Sequence, residues 1–184
     1  MARQIAERAD IIPALGELFR RHGFEGLSLS LITKQTGLGK GSLYNFFPGG
    51  KDEMAAAVLA HVQDWFETHI FKPLETLEPD DALATMFDGV EAYFRSGRRV
   101  CLIGAFALDE TRHRFAAALE GYFSRWLAVL TGALCRAGFA RSQAETLAMQ
   151  VVAGIQGAIV LTRALDDEGA FLTSLSVLRR QCMR

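Results

Sequence analysis

Apolar residues return every three or four positions along nearly the whole chain, and that period predicts helices throughout. Ile11, Ile12, Leu15, Leu18 and Phe19 mark a first helix. Pro13 is tolerated only near a first turn, so the helix starts close to Asp10, and Gly23 ends it after Arg20, Arg21 and His22. Ser28 is an N-cap candidate for a short helix with Leu29 and Ile32 on its apolar edge. Gly37-Leu38-Gly39 breaks that helix, and a second short one runs from about Lys40 to Phe47, burying Leu43 and Phe47. After Pro48-Gly49-Gly50, a fourth helix is predicted from Lys51 to Phe71, with Met54, Val58, Val62, Phe66 and Ile70 four apart. A fifth runs from Asp80 or Asp81 to about Ser96, burying Leu83, Phe87, Val90 and Phe94. The apolar run from Val100 to Leu108 reads as a strand on hydrophobicity alone, and as a short buried helix in its helical surroundings. A long helix follows from Glu110 to Ala137, with Phe115, Leu119, Phe123, Trp126, Leu130 and Leu134 along one side.

The last two predicted helices carry more apolar surface than one core needs. Between Ser142 and Leu165, one stripe holds Leu147, Val151, Gly154, Ala158, Leu161 and Leu165, and a second holds Ala148, Val152, Ile155 and Ile159. A helix apolar on two sides needs partners on both. Gly154 and Gly157 each cost about 1 kcal/mol relative to alanine inside a helix, which close approach of another helix would offset. The final helix, from Glu168, repeats the pattern with Phe171, Leu175, Leu178 and Cys182. Two such helices from each of two chains would form a four-helix bundle closed by two-fold symmetry. The expected homodimer face is Leu147, Val151, Gly154, Ala158, Leu161, Phe171, Leu175 and Leu178; an internal core is the alternative.

Composition narrows the classes. The first ten residues carry charge and no apolar core, so no signal peptide is expected. The longest apolar stretch, Val151 to Leu161, falls short of the roughly 20 residues that span a bilayer, so no membrane partner is expected. Three cysteines, Cys101, Cys135 and Cys182, lack metal-ligand spacing and suit a reducing cytoplasm. Residues 1–51 hold seven Lys/Arg against four Asp/Glu, whereas residues 52–184 hold 13 against 17. A basic head on an acidic body is the charge layout of a DNA-binding protein.

The two short helices joined by a glycine turn, Leu27 to Met54, have the grammar of a helix-turn-helix, whose second helix offers its first residues to the major groove. Ser28 and Ser30 are placed for phosphate, and Lys40, Ser42 and Asn45 for base edges, lysine suiting guanine and asparagine adenine. Gly41 permits close approach, and Tyr44 combines packing with a phosphate contact. Lys51 opposes the macrodipole of the helix it opens, which a nearby phosphate would explain. Such arms as Met1 to Ala9, with Arg3 and Arg8, can also reach the DNA backbone.

This stretch resembles the DNA-binding domain of the TetR family of bacterial transcriptional repressors. The matching residues are Gly23-Phe24, Ser28, Ile32, Thr36-Gly37-Leu38, Gly41-Ser42-Leu43-Tyr44, Phe47 and Lys51. The run Phe47-Pro48-Gly49-Gly50-Lys51 is similar to a branch containing drug- and flavonoid-responsive members. Thr33 and Phe46 depart from the family pattern, and Phe46 removes one possible phosphate contact. The resemblance implies an all-α fold: a three-helix DNA-binding domain over 1–50 and a helical ligand-sensing and dimerisation domain over 51–184. It implies a phosphate-contacting role for Lys51, a double-stranded operator, and a small-molecule effector, with no cofactor and no metal. The family's cavity lies among the helices matching 51–165, so Phe87, Cys101, Phe106, Trp126 and Met149 are expected to line it. Little interior charge there suits a mostly apolar, aromatic effector. Cys101 follows Arg98 and Arg99, which would lower its pKa and suit a redox or electrophile sensor; a buried core cysteine is the alternative.

Enzymatic readings are weak. Gly37-Leu-Gly-Lys-Gly-Ser42 lacks phosphate-loop spacing and follows a helix rather than a strand. Glu110-Thr-Arg-His113 has the spacing of a di-iron motif without a second copy. His61 and His69 with Asp64 fit solvated positions. The expected function is a ligand-responsive DNA-binding regulator, with a carrier protein of the same fold as the rival.

Overall fold

The computed structural model describes residues 7–183, which contain helices and no strand. Helix α1 (Arg8–Gly26) is interrupted at Gly23, where φ is 69° and ψ 177°, so regular helix ends at the expected glycine. Helix α2 (Leu29–Thr36) is capped by Ser28, whose Oγ accepts the Leu31 N–H at 3.2 Å. Gly37 then takes φ 73°, a left-handed conformation that costs glycine no Cβ clash, and turns the chain into α3 (Lys40–Phe46).

Helix α4 (Gly50–Phe66) leads into a π-helical turn (Glu67–Phe71) and then α5 (Lys72–Thr76), where an unbroken helix to Phe71 was predicted. Pro73 supplies the reason: it has no N–H for the bond to His69, and its ring crowds that carbonyl. Helix α6 (Pro79–Phe94) ends in Arg95, Ser96 and Gly97, all with positive φ. The run whose type was ambiguous is helical, as α7 (Leu102–Leu108). The predicted helix from Glu110 instead begins as a 3-10 turn (Glu110–Phe115) before α8 (Ala116–Arg136). There Asp109 accepts both the N–H and the hydroxyl of Thr111, at 2.8 and 2.5 Å, and these bonds hold its carboxyl below the usual range. Helices α9 (Arg141–Leu165) and α10 (Glu168–Cys182) complete the chain.

Two packed units result, and their make-up differs from the predicted division at residue 50. One comprises 7–63 with 102–119, and the other 64–101 with 120–183. In the first, Ile11, Leu15, Phe19, Ile32, Leu43, Phe47, Met54 and Val58 form a core. Segment 102–119 joins it through rings. Phe106 meets Phe19 and Phe24 edge-on at 5.7 and 6.0 Å, and Phe115 meets Phe24 at 5.5 Å. In the second, Phe66 is the hub, with Tyr93, Tyr122 and Trp126 at centroid distances of 4.8, 5.1 and 5.3 Å.

Helices α9 and α10 correct the predicted dimer face. Leu147, Val151, Ala158, Phe171 and Leu175 are buried within their own chain. A Cβ at Gly154 would lie 2.9 Å from Leu178, so this glycine buys close approach to α10 rather than to a second protomer. Of the eight residues, Leu161 alone is exposed. The exposed stripe runs instead through Met149, Ala153, Gly157, Val160, Leu161, Ala164 and Leu165. Helix α9 is long and apolar enough by composition to cross a membrane, with mean hydropathy 1.5, although its longest uninterrupted apolar run is shorter. Its apolar residues are divided between a buried side and this stripe.

Arg125 ties the π-turn and α5 to α8. Its guanidinium donates to Glu67 at 2.9 Å and to Glu75 at 2.7 Å, and the bond to Glu75 lowers that carboxyl's pKa. A lowered folded pKa contributes stability above the unfolded value, lost as pH falls through the folded one. Because the three side chains are about a third or more exposed, Arg125→Met is expected to cost only about 1 kcal/mol at pH 7. That corresponds to a melting shift of about 2–4 °C. Melts at successive pH values should show the gap to the parent protein closing as pH falls from about 5 through the lowered pKa of Glu75.

Candidate nucleic-acid interface

Helix α3 separates its residues by role. Leu43 and, just past its end, Phe47 are buried, while Lys40, Gly41, Ser42, Tyr44 and Asn45 are all exposed on one short helix. Two anchors on the inner side therefore set the direction of five outward positions. Tyr44 is 47% exposed, enough for its hydroxyl to reach a partner outside the chain. Ser28 and Ser30 are exposed at the start of α2; the Ser28 oxygen is engaged in the cap, and its hydroxyl hydrogen can still be donated.

Lys51 has an internal partner that its sequence position did not disclose. Its Nζ donates to the Phe24 carbonyl at 2.9 Å and lies 4.4 Å from the centre of the Phe24 ring. The cation at the start of α4 thus closes the end of α1, which is a reason for a lysine there besides phosphate. Glu53 offsets it, accepting the Gly49 N–H at 2.7 Å and an Arg8 guanidinium N–H at 2.9 Å. Arg8 is also 4.8 Å from the Phe47 ring, so the arm residue expected to reach DNA is held by its own unit. Arg3 lies outside the described residues. Lys51→Met is expected to cost about 1 kcal/mol of stability through the lost bond, read by thermal melting. It should also weaken binding to all DNA sequences alike; altered sequence preference would contradict this placement.

The five residues expected around a ligand divide between the two units, four in the second and Phe106 in the first. Phe87, Cys101 and Trp126 are buried in the second unit, at 1%, 5% and 0% exposure. Phe106 belongs to the core of the other unit, against Phe19, Phe24 and Phe115. Met149 is 55% exposed on the α9 stripe, because its neighbours Ala148 and Val152 occupy the inward side. Tyr122, absent from that prediction, is fully buried beside Phe66 and Trp126. The Cys182 thiol is pushed up to about 12 by burial, which makes it a poor nucleophile. The Glu110–His113 spacing falls on a 3-10 turn, and among the described residues no three His, Cys, Asp or Glu side chains gather as a metal site.

A three-helix head with an anchored, polar second helix of a helix-turn-helix defines a DNA-binding regulator. Sequence comparison gives the family. Residues 11–58 match the model of bacterial regulatory proteins of the tetR family, and residues 79–175 that of the C-terminal domain of LmrA/YxaF-like transcriptional regulators. The chain belongs to the TetR family of transcriptional regulators. It is 28% identical over 173 residues to the uncharacterized HTH-type transcriptional regulator YxaF of Bacillus subtilis, covering 90% of this chain and 89% of that one. It is 28% identical to the HTH-type transcriptional regulator LmrA of the same organism, covering 84% and 85%. In fold it is similar to a TetR transcriptional regulator from Legionella pneumophila, with a TM-score of 0.84, 21% identity, and coverage of 99% and 98%. These families and relatives are transcriptional regulators, not enzymes.

Proposed function

We propose that the chain is a cytoplasmic repressor that binds a pseudo-palindromic operator as a homodimer and is released by a small, mostly apolar effector. The observation that carries the DNA-binding part is α3, with Lys40, Gly41, Ser42, Tyr44 and Asn45 exposed over buried Leu43 and Phe47. Ser28, Ser30 and Lys51 supply phosphate contacts in this reading. Two such helices would enter successive major grooves about 34–36 Å apart or a multiple of it. The exposed stripe of α9, with Leu172 and Val177 of α10, is the surface a second copy would cover. The Phe47–Lys51 run supports placement in the branch with drug- and flavonoid-responsive members.

Helix α4 has residues in both units, and effector binding in the second unit is proposed to shift it and change the spacing of the reading helices. A coupling of about 1–3 kcal/mol would weaken operator binding roughly 5- to 150-fold. A gel shift with DNA upstream of the chain's own gene tests the reading. Specific, salt-sensitive binding supports a regulator, and its absence supports a carrier of the same fold. Redox sensing through Cys101 would need a reagent to reach a thiol only 5% exposed, and release by alkylation lost in Cys101→Ser would support it.

A further inference from the structure

The first turn of α4 carries two opposed requirements. Acidic side chains there suit the positive end of the helix dipole, and Asp52 and Glu53 supply them. The same carboxylates follow Lys51 directly, where they would repel a phosphate brought to its ammonium. Each is met by a cation distant in sequence. Arg8 donates to Glu53 at 2.9 Å, and Arg114 donates to both oxygens of Asp52 at 3.1 and 3.3 Å. Arg114 comes from the 3-10 turn, 62 residues further along the chain, in the segment that packs with the head. Its guanidinium carbon stands 5.6 Å from the centre of the Phe24 ring, which Lys51 Nζ approaches to 4.4 Å. Phe115, the next residue, is buried against the same ring at 5.5 Å and so fixes where Arg114 emerges. The Asp109 carboxyl, held low first by its Thr111 bonds and further by Lys51, is a third acid at this place.

We infer that Arg114 completes the DNA-backbone contact at Lys51 by neutralising Asp52, so that the DNA-binding surface depends on segment 102–119 as well as on the helix-turn-helix. The inference rests on the regulator reading above, with Lys51 at a phosphate. Arg114 acts through Asp52 and does not itself touch DNA. With both first-turn acids paired, α4 keeps the carboxylates its dipole favours, and the charge of Lys51 is left for the phosphate. The side chains of Arg114 and Asp52 are 44% and 56% exposed, too open for the pair to contribute much to stability. Its charges act mainly on what approaches from outside the chain.

The test uses neutral replacements in the full-length protein, read by gel shift at low salt. Two probes are compared: the DNA upstream of the chain's own gene and an unrelated duplex of equal length. Arg114→Met is expected to weaken binding to both about threefold to tenfold, because Asp52 is left charged and unpaired beside Lys51. Asp52→Asn should keep or raise affinity for both duplexes. The double variant, Arg114→Met with Asp52→Asn, should return to the parent's affinity, since the pair is again neutral. Added salt should narrow the differences, as screening does between exposed charges. A merely structural ion pair predicts a loss from either single variant. A direct phosphate contact by Arg114 predicts a double variant as weak as Arg114→Met. Either pattern, or full affinity in Arg114→Met, overturns the inference. If Arg114→Met does not fold, Asp52→Asn alone decides, and a lowered affinity overturns the inference. The parent protein separates the two readings. Absence of specific, salt-sensitive binding by the parent removes the regulator and this inference with it, whereas parent binding indifferent to Arg114 removes only the inference.

Discussion

Val160→Arg is expected to leave the protein folded but monomeric, and to lower operator affinity by at least about a hundredfold. Val160 is 62% exposed, on a stripe shared with Met149, Leu161 and Leu165 at 55%, 51% and 66%. Positions 149, 153, 157, 160, 161, 164 and 165 recur at three- and four-residue intervals, so they occupy one side of α9. A contiguous apolar side of a 25-residue helix marks an interaction surface. A second copy of the chain is the occupant proposed, because a two-fold axis brings the same surface to both partners. Gly157 sits in this stripe with nothing near its missing Cβ, which leaves room for a close helix–helix approach. At such an interface one substitution introduces two buried charges, each costly without a partner. The monomer should lose little, since substitutions at exposed sites usually change stability by about 0.5 kcal/mol or less.

Sedimentation and gel shift check the outcome together. A dimer reads two half-sites, and a monomer retains one, so operator affinity should collapse while melting is preserved. Val151→Arg is the contrast: Val151 is fully buried within its own chain, so this change should destabilise the fold itself. If Val160→Arg sediments as a dimer, the partner surface lies elsewhere.

Lys40→Ala and Asn45→Ala are expected to weaken operator binding by about 1–3 kcal/mol each and to relax preference at the base pair each side chain reads. Both side chains are exposed on α3, so melting should be unaffected. Leu43→Ala provides the control. Leu43 is 1% exposed, and truncation of such a core leucine costs about 2–5 kcal/mol, enough to compromise folding of the head. Competition with unrelated DNA distinguishes the cases: loss of sequence preference for Lys40 and Asn45, uniform loss for Lys51. Unchanged preference in both α3 variants would remove α3 as the reading helix.

Much of the head was legible in the chain because its signals are local. Ser28 caps α2, Gly37 takes the left-handed turn, and Leu43 and Phe47 are the inward anchors, each determined within a few residues of itself. Side-chain partners across elements were not legible. Lys51 read as a cation needing phosphate until Phe24, 27 residues earlier, supplied a carbonyl. Phe106 read as a residue of the ligand-sensing body, and its rings of contact are Phe19, Phe24 and Phe115.

The same boundary runs through the two terminal helices. Periodicity by itself determined that most of the chain is helical and that α9 is apolar on two sides, and local cap and turn residues that a helix-turn-helix precedes a larger body. It could not say that residues of both predicted stripes face their own chain, since periodicity marks apolar sides without naming their partners. Tertiary structure decided that, because α10 returns against Gly154 and leaves Met149, Val160 and Leu165 outside. It also decided that Tyr122 and Trp126 carry unpaired donors into an aromatic core, a property of surroundings that a linear pattern of apolar and polar residues does not encode.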